Sequence, residues 1–263
     1  MEQVETEGLV LSCRPYKEKD QLIKIFTEKY GKAMFLVKRA ANPNYMHRSS
    51  LRLCSGATYL MRINETGLSF INSVKEPFSF SNLQTNYLAY PYATYMLTLC
   101  DYAIEDYLSD PLLYGVLKQG LRLMDRGYDP SVIAAIFAIQ ILNRFGVSPQ
   151  WDRCALCGED RLEVPFDYSE RDNGIICYRH FQEKKRYHAT PRAIYFIRQF
   201  QHVTFDLLEE IQLSEETKEE IWQVIDALYD SYTGIHIKSR SYMDQSDQVE
   251  ALAQQLRQRR IDK

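Results

Sequence analysis

The sequence predicts an α+β protein: an N-terminal five-stranded β-barrel, then a helical bundle with a metal-binding hairpin inserted in it. Three observations predict this. β-rich runs separated by turn signals fill the first 79 residues, helical punctuation begins near Ser81, and two metal-ligand pairs stand between Arg153 and Phe181. The boundaries that follow are 1–79 for the barrel, 80–150 with 191–240 for the helical domain, 151–190 for the metal module and 241–263 for a polar tail.

The strands come first. Thr6–Cys13 alternates weakly, and Gln21–Thr27 is β-rich. Glu28-Lys-Tyr-Gly31 is a turn, and Lys32–Lys38 returns as a hairpin partner. A polar loop, Ala41–Ser50, precedes Leu51–Ile63, the turn Asn64-Glu-Thr-Gly67, and Leu68–Val74. Five short strands in so few residues fit a small closed barrel of the oligonucleotide-binding (OB) type; a small SH3-type barrel would show a similar pattern.

Charge is unevenly spread. The whole chain carries a net −3, yet residues 1–79 hold 12 Lys+Arg against 8 Asp+Glu, while residues 80–150 hold 4 against 6. A basic segment on an acidic body is what a local anion-binding face requires, and a solvated β-surface with no ligand fits the charge about as well.

Helices follow. Asp110-Pro111 opens a run with apolar residues at Leu113, Val116, Leu117, Leu121 and Met124, closed by Gly127. Asp129-Pro130 opens another, through Phe145, closed by Gly146. Asp as N-cap, Pro in the first turn and Gly beyond the end are the expected signals. The second of these helices is apolar on nearly every side and is expected at the centre of the bundle. Pro191–Phe200 and Ser214–Tyr232 are helical again, the latter with a stripe at Ile221, Ile225, Leu228 and Tyr232. The tail from Ser241, ending in Arg257-Gln-Arg-Arg260, is polar and expected to fray. Of 19 tyrosines, seven lie between Tyr87 and Tyr114; their mixed helical spacing beside Leu and Ile favours core and boundary packing over base stacking.

The metal module is the most specific signal. Cys154-Ala-Leu-Cys157 is followed, after nineteen residues, by Cys177-Tyr-Arg-His180. Two pairs with two-residue gaps, one hairpin apart, are the spacing of a structural zinc site. Four protein ligands leave no open position for a substrate water, so one structural Zn²⁺ is expected on Cys154, Cys157, Cys177 and His180, with His188 as a weaker substitute for the histidine. The alternative, two free thiols beside a disordered loop, leaves the second pair unexplained. The intervening Asn173-Gly174 is a hairpin-turn signal. Cys13, Cys54 and Cys100 stand singly in apolar contexts and read as small hydrophobes, which favours a reducing, cytoplasmic compartment.

Neither a secretory signal core nor an apolar run long enough for a membrane span is present. Walker, Gly-rich dinucleotide, His-Glu-x-x-His and Gly-x-Ser-x-Gly motifs are also missing, and Arg153 stands where a zinc deaminase would have Pro. Asp101, Glu105 and Asp106 read as a solvated helix face. Binding rather than catalysis is therefore expected; a zinc-stabilised nucleic-acid-modifying enzyme and a zinc-ribbon transcriptional adaptor are the competing classes.

The order of parts resembles the RecO family of recombination mediators and DNA repair proteins, of the Gram-positive type, over most of the chain. The stretches that carry it are Gly8–Asp20, Lys24–Lys32, Val37-Lys-Arg-Ala40, Phe137–Gly146, Cys154-x-x-Cys157 and Gly234–Arg240. The resemblance implies an OB-type barrel, a helical domain and a zinc module. It implies binding and annealing of single-stranded DNA, engagement of the C-terminal tail of single-strand-binding protein (SSB), a complex with RecR, and promotion of RecA loading in the cytoplasm at the nucleoid. On this reading Arg14, Lys17, Lys24, Lys32, Lys38, Arg39 and Arg48 face DNA. Arg122, Arg126 and Arg144, the arginines of residues 80–150, are candidates for the acidic SSB peptide.

Overall fold

The computed structural model describes residues 2–161, 163–181, 187–209, 211–235, 237 and 240–243. From residue 244 on, the polar tail lies outside the described residues. The chain forms two compact units, Met1–Pro130 with Ile237–Lys263, and Ser131–His236.

In the first unit β1 (Glu2–Tyr16), β2 (Asp20–Thr27), β3 (Gly31–Val37), β4 (Ser55–Ile63) and β5 (Phe70–Ser79) form one antiparallel sheet in the order β3-β2-β1-β4-β5. Alternation puts Val10, Ile23, Ile25, Phe35, Tyr59 and Met61 in one buried cluster. The start of β4 differs from the sequence expectation. Leu51 belongs to a 3-10 turn, Arg48–Leu51, and Cys54 has φ +58°, so β4 begins only at Ser55. Ser50 is held in that turn by the buried Tyr59 hydroxyl, which donates to its carbonyl at 2.6 Å.

The expected closed barrel is not found among the described residues; β3 and the start of β5 approach each other through a single backbone bridge, Phe35 to Ser69. Ser69, just before β5, donates to Met34 O at 2.9 Å and accepts from Leu36 N–H at 3.0 Å. Beyond it β5 stays with β4, with register shifts at Gly56/Thr58 and Leu60/Met61, and no ladder joins β5 to β3 among the described residues. β5 carries Pro77, which an outer strand tolerates because that N–H has no ladder partner to lose.

Three helices follow the sheet in this unit: α1 (Ser81–Thr85), α2 (Ala89–Ala103) and α3 (Pro111–Asp125). The Asp110 side chain accepts from Leu113 N–H at 2.9 Å, so the sequence-expected cap and first-turn proline both hold. The link from α2 to α3 is strapped to the sheet. Tyr107 N–H donates to Lys32 O at 2.9 Å, and a Cβ on Gly31 would lie 2.3 Å from Leu108 O. That approach, with φ +68°, explains the glycine.

The second unit is built around α4 (Pro130–Ile141), which is buried along nearly its whole length. It continues as a 3-10 turn, Leu142–Phe145, closed by Gly146 in the left-handed conformation. α5 (Pro191–Phe200) and α6 (Glu215–Leu228) pack around it. Gln140 Nε2 donates to Phe200 O and Val203 O, both at 2.7 Å. Trp222 Nε1 donates to Ser131 Oγ at 2.8 Å, and the Tyr229 hydroxyl to Ala138 O at 2.8 Å. Between α4 and α5 stands the hairpin β6 (Phe166–Ser169) and β7 (Gly174–Cys177). No described helix is long and apolar enough to cross a membrane.

Candidate metal centre and basic surface

The sequence builds the metal module from two tight turns and one hairpin. After Cys154 the chain folds back at once: Gly158 N–H donates to Cys154 O at 2.9 Å, with Gly158 at φ +75°. His180 N–H donates to Cys177 O at 2.8 Å, forming the second turn. The hairpin sets them face to face. Asn173 takes φ +44°, and Gly174 lies so close to the Gln150 backbone that a Cβ would sit 2.6 Å from its carbonyl oxygen. The Asn-Gly pair thus marks both the turn and a contact that only glycine permits. Ala155 N–H donates to Ile175 O at 2.8 Å, which ties the first turn to β7.

This places the ligand atoms of Cys154, Cys157, Cys177 and His180 within 4.8 Å of one another. Cys157 Sγ is 3.7 Å from Cys177 Sγ, and His180 Nδ1 is 3.6 Å from Cys154 Sγ and 3.4 Å from Cys177 Sγ. Bond lengths of about 2.3 Å to sulfur and about 2.0 Å to nitrogen in a tetrahedron require edges of about 3.8 Å (S···S) and about 3.5 Å (S···N). The cluster therefore fits a single tetrahedral metal ion, with Nδ1 as the histidine donor. His188 is outside the group; its backbone N–H is bound to Asp167 Oδ2 at 3.0 Å. Burial pushes the Cys154 thiol up, but N–H groups of Cys177, Cys157 and Leu156 outweigh it and bring the pKa down to about 6. Those N–H groups favour the thiolate a metal needs.

Around the ligands the module is pinned by its own polar groups. The buried Asp167 carboxylate accepts from Tyr168 N–H at 2.8 Å, His188 N–H at 3.0 Å and Ala189 N–H at 3.2 Å. Arg198 of α5 reaches Asp152 O at 2.6 Å and Asp160 O at 3.3 Å, fastening the helix to the module.

The seven cations expected to face DNA divide into groups. Arg14 near the end of β1, Lys17 in the β1–β2 turn, and Lys38 and Arg39 after β3 are all exposed. They share one end of the sheet, since Tyr16 pairs with Asp20 and Gln21 with Val37. Asp20 Oδ1 accepts Arg39 N–H at 2.9 Å, and Lys19 O accepts Ala41 N–H at 3.0 Å, so the β1–β2 turn and the loop after β3 are joined. Arg48 lies half-buried in the 3-10 turn. Lys19, also exposed there, was missed by the sequence reading; its only signal is its place in a basic turn.

Lys24 and Lys32 stand apart from these groups. Both turn away from solvent onto one carboxylate of α2: Lys24 Nζ is 2.9 Å and Lys32 Nζ 2.8 Å from Asp101 Oδ1. Lys32 also donates to the Asp101 carbonyl, lies 3.6 Å from Asp106, and has a side chain only 7% exposed. Asp101 is accordingly not part of a solvated face. Strand pairing sets the cause: Lys24 and Met34 are partners, so the two lysines lie near each other across β2 and β3 on the face that α2 covers. Their work is to dock the helix.

Arg122 and Arg126 lie one turn apart, exposed, near the end of α3 in the first unit. Arg144 is half-buried in the 3-10 turn after α4, in the second unit. Cys54 and Cys100 are buried as expected, and burial pushes the Cys54 thiol up to about 12. Tyr92, Tyr95 and Tyr114 are buried, while Tyr87 and Tyr102 are exposed.

Comparison with known proteins agrees along the chain. Residues 1–78 match the family model described as "Recombination protein O N terminal", and residues 84–241 match "Recombination protein O C terminal". The chain is 45% identical over 242 residues to "DNA repair protein RecO" of Enterococcus faecalis (strain ATCC 700802 / V583), covering 92% of each chain. It is 44% identical to the protein of that name from Lactococcus lactis subsp. cremoris (strain SK11), covering 93% of this chain and 96% of the other. Its identity to the one from Streptococcus suis (strain 05ZYH33) is 41%, over 93% of each. With both family models matched in order, and with relatives this similar over nearly their full length, the chain belongs to the RecO family of DNA repair and recombination proteins.

Proposed function

We propose that this protein binds single-stranded DNA on the end of an OB-type sheet domain, anneals complementary strands, and acts with SSB, RecR and RecA as a recombination mediator. The observation that carries the reading is the gathering of Arg14, Lys17, Lys38 and Arg39 on two linked loops of the sheet, in a member of this family. Phosphate contacts from such cations give affinity without sequence preference. Annealing needs no catalytic group; it needs two strands brought close with their charge screened. The meeting of β3 with Ser69 supports an OB-type barrel that is only partly closed, as such barrels can be. The metal is zinc in a structural role, on the strength of a three-thiolate, one-imidazole donor set with tetrahedral edges. Fluorescence-monitored annealing of complementary strands, with and without SSB, tests the whole reading: acceleration on both naked and SSB-coated strands is expected, and no acceleration on either overturns it.

The sheet-end cations make a sharper test. The Lys38→Glu, Arg39→Glu double variant should weaken single-strand binding and flatten its salt dependence, each lost phosphate contact removing about 0.7 from the log–log slope. Lys24→Ala should leave that slope unchanged, because its ammonium is bound to Asp101. Equal slopes for the double variant and the parent protein would move the DNA elsewhere.

The helical residues 80–150 with 191–240 are proposed to bind the acidic SSB tail, and the sheet domain to be needed for RecR. An acidic peptide ending in an aromatic residue needs an apolar slot and a nearby cation. Arg122 and Arg126 supply two exposed cations on one helix, and Arg144 a third candidate. Titrating the full-length protein with that peptide should show about tenfold weaker binding for Arg122→Glu, Arg126→Glu, in line with the loss of charge-assisted contacts. Unchanged affinity would remove α3 from the peptide site.

A further inference from the structure

The second unit carries a face that no part of the reading above uses. It begins at the metal cluster, where Tyr178 stands between Cys177 and His180 and is 54% exposed. Arg179 lies over that ring, 5.9 Å from its centroid. Arg161 is bound to Glu159 through two nitrogens at 2.8 and 2.9 Å, Arg179 reaches the same carboxylate at 2.6 Å, and Glu163 also acts on Arg161, while both guanidinium groups stay largely exposed. From Arg161 the face passes to α5 through Arg198, which bonds the neighbouring Asp160 carbonyl and lies 5.4 Å from the Phe166 ring centroid. Along α5, Tyr195 is 44% exposed, and Arg192 sits 5.9 Å from the ring of Phe196. A helix turns about 100° per residue, so Arg192, Tyr195 and Phe196 share the outer side of α5, and Arg198 lies beside Tyr195.

Two exposed tyrosines, Tyr178 and Tyr195, thus stand among arginines from the metal hairpin to the outside of α5, while Phe166 is buried and Phe196 half-buried. Exposed rings interleaved with cations are the two components of sequence-independent single-strand binding: π-faces for unpaired bases and guanidinium groups for phosphates. A duplex conceals the faces of its bases and cannot use the rings. We propose that this arginine–aromatic face, organised by the metal hairpin, is a second contact for single-stranded DNA, with bases stacking on Tyr178 and Tyr195 and phosphates held by Arg161 and Arg192. The inference rests on the single-strand reading of the protein and extends it. A chain with two nucleic-acid faces can hold two stretches of strand at once, which annealing demands.

The test uses the full-length, metal-loaded protein and a fluorescent oligo-dT strand. Metal content and circular dichroism serve as controls of folding, and none of the altered residues is a metal ligand. Tyr178→Ala, Tyr195→Ala is expected to weaken binding about tenfold or more, the loss of stacking for two bases. Tyr178→Phe, Tyr195→Phe should bind as the parent does, because the π-faces remain. Arg161→Glu, Arg192→Glu should lower the log–log salt slope by about 1.4, two phosphate contacts. A strand carrying 5-iododeoxyuridine should photocrosslink to Tyr178 or Tyr195. Unchanged affinity on tyrosine truncation overturns the proposal. So does weakening by the arginine reversals alone, which would mark a face for acidic peptide rather than for bases. The sheet-end variant Lys38→Glu, Arg39→Glu separates the two readings. If it weakens binding while the face variants do not, only the second contact fails; if the face variants weaken binding and it does not, only the sheet-end placement fails. Absence of binding by the parent protein overturns both.

Discussion

Replacing Cys157 by Ser, or removing the metal with a chelator, should unfold the hairpin from Cys154 to His180 while the sheet domain stays folded. The hairpin has only two four-residue strands, and Cys154, Cys177 and His180 converge on one point from two separate turns. A two-stranded hairpin is marginal by itself in water. Structural zinc contributes an apparent binding free energy of about 10–16 kcal/mol in small zinc domains, comparable with or larger than the whole stability of an ordinary domain. Hydrogen exchange provides the measurement: amides of β6 and β7 should lose protection, whereas those of β1, β2 and β4 should keep it. A colorimetric chelator should release about one metal ion per chain, as a single four-ligand site requires. Protein purified without metal, with reactive thiols and a protected hairpin, would refute the structural role. The hairpin part of the arginine–aromatic face should be lost with the hairpin, because Tyr178 and Arg179 stand between Cys177 and His180.

Asp101→Asn should destabilise the first unit by about 3 kcal/mol, the lower end of the cost of breaking a buried pair. The variant leaves the ammonium groups of Lys24 and Lys32 facing a neutral amide, with only Asp106 at 3.6 Å from Lys32 in partial compensation. Urea titration monitored by the sheet domain's unfolding would show the shift, and a change below about 1 kcal/mol, within the range of exposed pairs, would show that the triad is merely superficial. Replacing all three groups by apolar residues of similar size should be far milder than the single change, because no charge is then stranded. The pH dependence has a definite sign. Burial raises the Asp101 pKa, but hydrogen bonds and charges from Lys32 and Lys24 outweigh it and leave the carboxyl below its ordinary value. A carboxyl lowered on folding adds stability that is fully present above the unfolded-chain pKa of about 3.9. That contribution disappears as pH falls through the lower folded value. Acid titration of the parent protein should therefore show a loss of stability that Asp101→Asn lacks.

Much of this protein was legible in one dimension. Asp110-Pro111 and Gly127 bracket α3 because capping, a fixed φ and a left-handed exit are local requirements, satisfied within a few residues. The uniform apolarity of α4 announced its central position for the same kind of reason: a helix with no polar side has nowhere else to go. The four residues of the candidate metal cluster were found by spacing, since a tight turn fixes two of them at a time and the hairpin length fixes the distance between pairs. Charge was different. Along the sequence Lys24 and Lys32 look like Lys17 and Lys38, and Asp101 looks like any acid on a helix surface. The outcome depended on which strand face α2 covers, a contact spanning 77 residues for Lys24 and 69 for Lys32. Tertiary packing alone decided that two lysines anchor a helix while Arg14, Lys17, Lys38 and Arg39 remain exposed. It also decided that, among the described residues, the sheet's outer edges are hydrogen-bonded to each other through Ser69. Arg161 and Arg198 were brought beside each other in the same way, across 37 positions of sequence, because Arg198 reaches the carbonyl of Asp160. Spacing reveals a site whose ligands are close along the chain; a charge acquires its role only from the partner that folding brings to it, because an ion's energy depends on what lies within a few ångströms.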